Sequence, residues 1–169
     1  MAASVRGVVS ARRKAAKGAQ EEDRALGQCI LVPLDGSPYA ARAIPYAALL
    51  ARRCSAGLIF VRAVELDVAP RAGENAARTR EITWAEAQRQ LETILGDRSL
   101  LGLAVQTHID VGRPAHVLVR VARERGARLI VMATRRHFGA SRWALGSVAG
   151  HVLRQSDLPV ILPTPPALA

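Results

Sequence analysis

The sequence predicts an α/β fold, a five-stranded parallel sheet covered by helices. Three observations carry that prediction. Five short apolar runs alternate with segments of helical periodicity in a βαβαβαβαβ pattern, and each crossover is long enough for a helix. Half of the 169 residues are hydrophobic but only 4% are aromatic, so the core must be built from Ala, Val, Leu and Ile, as buried parallel strands require. Turn residues stand at the strand exits, as in Asp35-Gly36-Ser37 and Gly112-Arg113-Pro114.

Taken in order, residues 29–34 (CILVPL) read as the first strand. Ser37 is placed to cap a helix with Pro38 at its first position. That helix is expected to run to about Arg53, burying Ala41, Ile44, Ala48 and Ala51, with a mild kink at Pro45. Residues 57–66 form the second strand, and 67–75 a loop. A helix follows over 78–95, with Trp84, Gln88, Leu91 and Leu95 on one side. Trp84 reads as a packing residue. The third strand, 103–111, alternates apolar Leu103, Val105, Ile109 and Val111 with polar Gln106, His108 and Asp110, which suggests a place near the sheet edge. His108 is therefore expected to be exposed. The next helix, 115–124, should turn Val117, Leu118, Val121 and Ala122 inward and stop at Gly126. Strand 129–133, helix 147–155 and strand 158–162 complete the pattern, and Pro163, Pro165 and Pro166 end pairing.

The stretch 129–153, LIVMATRRHFGASRWALGSVAGHVL, is the candidate functional segment. A buried strand turns polar and basic through Thr134, Arg135, Arg136 and His137, and then enters a helix at Gly146-Ser147. Such a strand, loop and helix start bring backbone N–H groups and a positive dipole end to the carboxyl edge of a sheet, where α/β proteins bind phosphates.

Composition narrows the rest. The net charge is +10. Residues 1–27 carry six basic and three acidic side chains, so the body is basic in its own right. Nearly all the bases are Arg, which a GC-rich genome explains as readily as an acidic partner does. The Ala-rich extension 1–27 reads as a disordered tail. Its first 20 residues, with Arg and Ser and no acid, also fit a transit peptide. The domain is expected over 28–165, with a short tail at 166–169. Cys29 and Cys54 form neither a disulfide framework nor a metal-type pair, which fits a reducing cytoplasmic setting. No apolar run approaches the roughly 20 residues a bilayer span needs. There is no P-loop, no GxGxxG and no defensible Ser-His-Asp set, so catalysis is disfavoured. Scattered arginines with few aromatics disfavour nucleic acid as a partner.

Three ordered pieces resemble the universal stress protein family. They are ILVPLDGSPYAARAIPYAALLA, VGRPAHVLVRVARERGARLIVMA and LGSVAGHVLRQSDLPVILP, together covering about 29–163. The resemblance implies strand order 3-2-1-4-5 with helices on both faces, as in adenine-nucleotide alpha-hydrolase-like folds. It also implies a cytoplasmic and often dimeric protein. In that family's ATP-binding members the nucleotide sits at the carboxyl edges of strands one and four, on a Gly-x-x-Gly, nine residues, Gly-Ser/Thr motif. Here Gly146-Ser147 remain, but Ala133 and Arg136 occupy the two earlier glycine positions. Asp35 matches the aspartate that contacts base or ribose, and Pro33, Leu34, Met132 and Val148 match pocket-lining positions.

If the Arg136 position needs a left-handed backbone, a non-glycine costs about 1–2 kcal/mol there, and its side chain must also vacate the space where phosphate would meet backbone N–H groups. A guanidinium reaching a phosphate could recover up to about 4 kcal/mol at about 4 Å and an effective dielectric near 20. The sequence therefore supports a non-catalytic stress-response module with a degenerate nucleotide site, acting by dimerisation through the fifth strand and by partner binding. The alternative is a sensor of ATP or another adenine nucleotide, an anionic ligand, in which Arg136 compensates for the lost glycines. No cofactor is certain from the sequence.

Overall fold

The computed structural model describes residues 28–65, 76–134 and 145–163, with the backbone alone over 76–83. The expected extension 1–27, the tail 166–169, the loop 67–75 and Arg136 lie outside them.

Five parallel strands form one sheet: β1 (Cys29–Pro33), β2 (Gly57–Val64), β3 (Val105–Val111), β4 (Ala127–Val131) and β5 (Val160–Ile161). Their order is β3-β2-β1-β4-β5, as the family resemblance implied. The helices are α1 (Pro38–Ala41), α2 (Ile44–Cys54), α3 (Ala76–Leu95), α4 (Pro114–Glu124) and α5 (Ser147–Gln155).

The period-two alternation of β1 sorts the core into two layers. Ile30, Val32 and Leu34 pack with α2 and with Leu91 of α3. Cys29 and Leu31 pack with α4 and with Ala149 and Val152 of α5. Helices therefore cover both faces. Phe60 supplies the only aromatic ring among the fully buried side chains of the described residues, so branched aliphatics fill the interior as the composition requires.

Several boundaries differ from expectation, for identifiable reasons. The helix expected over 38–53 is two helices. Inside one continuous helix, Pro45 would clash with the Ala41 carbonyl and supply no N–H. The chain instead ends α1 at Ala41 and restarts at Ile44, which puts Pro45 in the first turn of α2. Strand β4 starts two residues earlier than expected. Gly126, at φ +62°, ends the α4 exit, and Ala127 pairs at once with Cys29. The register then shifts, with Ile30 facing Leu129, so exposed Arg128 is the extra residue of a bulge. Met132 and Ala133 consequently lie just past the strand.

On α3 the inward residues are Ala87, Leu91 and Ile94, whereas Gln88 is exposed and donates to Glu92 at 3.0 Å. Trp84 is half-buried. β3 is an edge strand, as its alternation suggested, but His108 is half-buried rather than exposed. It contacts Asp110 at 3.3 Å and Arg125 at 3.4 Å. β5 is only two residues long, flanked by Leu158 and Leu162, which pack against the α4–α5 layer.

Candidate functional site

Between β1 and β4 the strand order reverses, and in open parallel sheets the crevice at that point is where ligands bind. The chain brings three segments together there: the β1 exit, the β4 exit and the start of α5.

At the β1 exit, Pro33 ends the strand and Leu34 is buried in the core. The Leu34 N–H donates to the Val61 carbonyl at 2.9 Å, a rung beyond the strand itself. Successive peptide groups alternate sides along a strand. Those of Ala63 therefore face the same way as those of Val61, past the end of β1.

Asp35 follows on an exposed turn, its Oδ1 accepting the Ser37 N–H at 2.8 Å. Partial burial raises the Asp35 pKa, but the Ser37 hydroxyl and N–H and the Arg62 charge outweigh it, so the carboxyl titrates below the ordinary aspartate value. Gly36 holds φ +80°, and a Cβ there would collide with the Gln90 carboxamide. Ser37 caps α1 as expected, its Oγ accepting the Ala40 N–H at 3.1 Å.

At the β4 exit, Met132 is buried, and its N–H donates to Ile161 at 3.0 Å. Ala133 packs half-buried on the α2 side, so its methyl lies against the core. Thr134 joins the two sides of the crevice. Its carbonyl accepts the Tyr39 hydroxyl at 2.6 Å, and its Oγ1 accepts the Gly146 N–H at 3.2 Å. The Arg42 guanidinium lies 5.5 Å from the Tyr39 ring centroid, close enough for a cation–π contact. Thr134 stands in the sequence only as the first polar residue of the candidate segment, and Tyr39 is not singled out at all. A tyrosine one turn after a strand carries no pattern that says where its hydroxyl ends.

Gly146 is the N-cap of α5 and Ser147 its first residue, as the sequence implied. Intrahelical bonding begins with Gly150 N–H to the Gly146 carbonyl at 2.9 Å. The N–H groups of Ser147 and Val148 therefore belong to the set that a helix start leaves without intrahelical acceptors. Of the sequence-predicted site residues, Pro33, Leu34 and Asp35 lie at the β1 exit, Met132 and Ala133 at the β4 exit, and Gly146, Ser147 and Val148 at the α5 start. Arg136 is the exception, lying outside the described residues.

A cavity of about 230 Å³ lies at the opposite, amino edge, lined by Cys29, Gln106 and Arg125 among others. Burial pushes the Cys29 thiol up, against the pull of Arg125, so it is not an activated nucleophile. Among the described residues no three of His, Cys, Asp and Glu could hold a metal ion, and no helix is long and apolar enough to cross a membrane.

Comparison with known proteins places this geometry. The sequence pattern of the universal stress protein family matches residues 28–162. A universal stress protein of Methanocaldococcus jannaschii is 31% identical over 137 residues, 79% of each chain. A solved member of the family from Burkholderia pseudomallei is 29% identical, with a TM-score of 0.65 over 82% of this chain and 96% of that one. A universal stress protein solved in complex with cAMP is 26% identical, with a TM-score of 0.54 over 80% of this chain and 95% of that one.

Proposed function

The chain belongs to the universal stress protein family, and from that premise we propose that it is a non-catalytic, cytoplasmic stress-response module that holds an adenine nucleotide between β1 and β4. The observation that carries this reading is that the segment leaving β1, which bears Asp35, is tied at the strand-order reversal to the α5 start, through Tyr39 O–H to the Thr134 carbonyl and Gly146 N–H to Thr134 Oγ1. Asp35 is kept ionised to accept hydroxyl or amino protons. The Ser147 and Val148 N–H groups, with the helix dipole, suit an anion. A related chain solved with cAMP supports the ligand class.

Binding would be read out through association. β5 has one open edge and carries the exposed Ile161, which suits pairing with a second copy.

One observation favours a second reading, in which the same module works with its nucleotide site empty. The Gly146 N–H, a natural phosphate donor, already bonds to the Thr134 hydroxyl. The two readings part on one experiment. Mass spectrometry of material released by heating freshly purified protein should find an adenine nucleotide near one per chain. Clean protein that also gains no thermal stability from AMP, cAMP or ATP would favour the second reading.

A further inference from the structure

Beside Asp35, on the α3 side of β1, two buried polar atoms have no hydrogen-bond partner among the described residues: Arg62 Nε and Gln90 Oε1. One is a donor and the other an acceptor. Gln90 Nε2 donates to Glu86 Oε1 at 2.9 Å, which fixes the plane of the carboxamide and leaves Oε1 on its far side. That oxygen lies against Gly36, where any Cβ would meet it. Arg62 comes from β2, two residues after Phe60 and so on the same face, and its charge acts on both Asp35 and Glu86. None of the ion pairs among the described residues includes Arg62.

Buried donors and acceptors are costly to leave unmade. The ligand group that answers this corner must donate to Gln90 and Asp35 and accept from Arg62. A phosphate would face the Asp35 and Glu86 carboxylates, and an apolar edge would leave both orphan atoms unmet. Hydroxyls do both jobs, since each donates one proton and accepts through two lone pairs. Two neighbouring hydroxyls match a set of two acceptors and one donor.

We propose that Arg62 and Gln90 read the ribose hydroxyls of the bound nucleotide and make this chain selective for ribonucleotides over deoxyribonucleotides. The proposal rests on the nucleotide reading of the crevice given above.

The test is calorimetric titration of the full chain with AMP, 2′-deoxy-AMP and 3′-deoxy-AMP. Wild type should bind AMP about tenfold more tightly than at least one deoxy analogue, the loss expected when a hydrogen bond to a charged or buried partner goes unmade. Gln90→Met and Arg62→Met should bring that ratio close to one, while affinity for the deoxy analogue stays within about twofold. A merely structural role would move all three affinities together. Equal affinities in wild type, or a ratio that survives both substitutions, would overturn the proposal and mean that water alone satisfies the two atoms. Failure of every nucleotide to bind wild type would overturn the crevice reading and this one with it.

Discussion

The Tyr39 hydroxyl donates a 2.6 Å hydrogen bond to the Thr134 carbonyl, and so ties the helix that leaves β1 to the segment that leaves β4. The bond spans the crevice where strand order reverses, and it joins residues 95 positions apart in sequence. Through its own hydroxyl, which accepts the Gly146 N–H, Thr134 passes the link on to the N-cap of α5. The mouth of the site is thus braced by one tyrosine and one threonine.

Removing that brace has a definite cost. Tyr39→Phe keeps the ring under Arg42 and leaves the Thr134 carbonyl without its donor. Stability should fall by about 0.5–1.5 kcal/mol, the net worth of one such bond. Urea unfolding of the two proteins measures it, and an unchanged midpoint would mean the bond contributes nothing.

Two glycines at the site should respond unequally to alanine. Gly36 sits at φ +80° against Gln90, so Gly36→Ala should cost at least about 1–2 kcal/mol. Gly146 has an ordinary φ of −53°, and its added Cβ would stand 3.4 Å from Thr134 Oγ1, a van der Waals contact. Gly146→Ala should therefore lose only the N-cap preference of Gly over Ala, no more than about 1 kcal/mol, in thermal unfolding. Equal losses at both positions would contradict the backbone assignment.

The edge strand carries a pH signature. Burial pulls the Asp110 pKa up, but Arg120 at 2.6 Å, the Val111 N–H and His108 hold it below the ordinary 3.8. A carboxyl depressed in the folded state adds stability that is complete above its unfolded pKa and lost as pH falls through the folded one. Asp110→Asn should therefore be less stable than wild type at pH 6–7. The gap should narrow once pH drops below about 4, as seen in denaturant midpoints taken from pH 7 to pH 2.5.

Dimerisation through β5 predicts that Ile161→Asp sediments as a monomer while keeping its far-ultraviolet circular dichroism, because Ile161 is exposed in the single chain. A variant that stays dimeric would move the interface elsewhere.

Most of the fold was legible because parallel strands buried on both faces advertise themselves as apolar runs, and Gly and Pro punctuate them. The α4 face, Val117, Leu118, Val121 and Ala122, follows directly from 3.6-residue spacing and is buried as expected. The break between α1 and α2 was less legible, since it depends on how Pro45 settles its clash with Ala41. The β4 register depends on a bulge at Arg128 that only pairing with β1 reveals. At the site, Asp35, Gly146 and Ser147 were found through a motif. Tyr39 and Thr134 meet through a contact between distant segments, and Arg62 approaches Asp35 from a neighbouring strand, which no local spacing encodes.

Occupancy of the crevice between β1 and β4 is measured most directly by the unfolding free energy of wild type and Asp35→Ala with and without AMP. At AMP one hundred times the dissociation constant, wild type should gain about 2.7 kcal/mol, and Asp35→Ala should gain clearly less at the same concentration. No gain in wild type at millimolar AMP, or an equal gain in both proteins, would contradict the site assigned here.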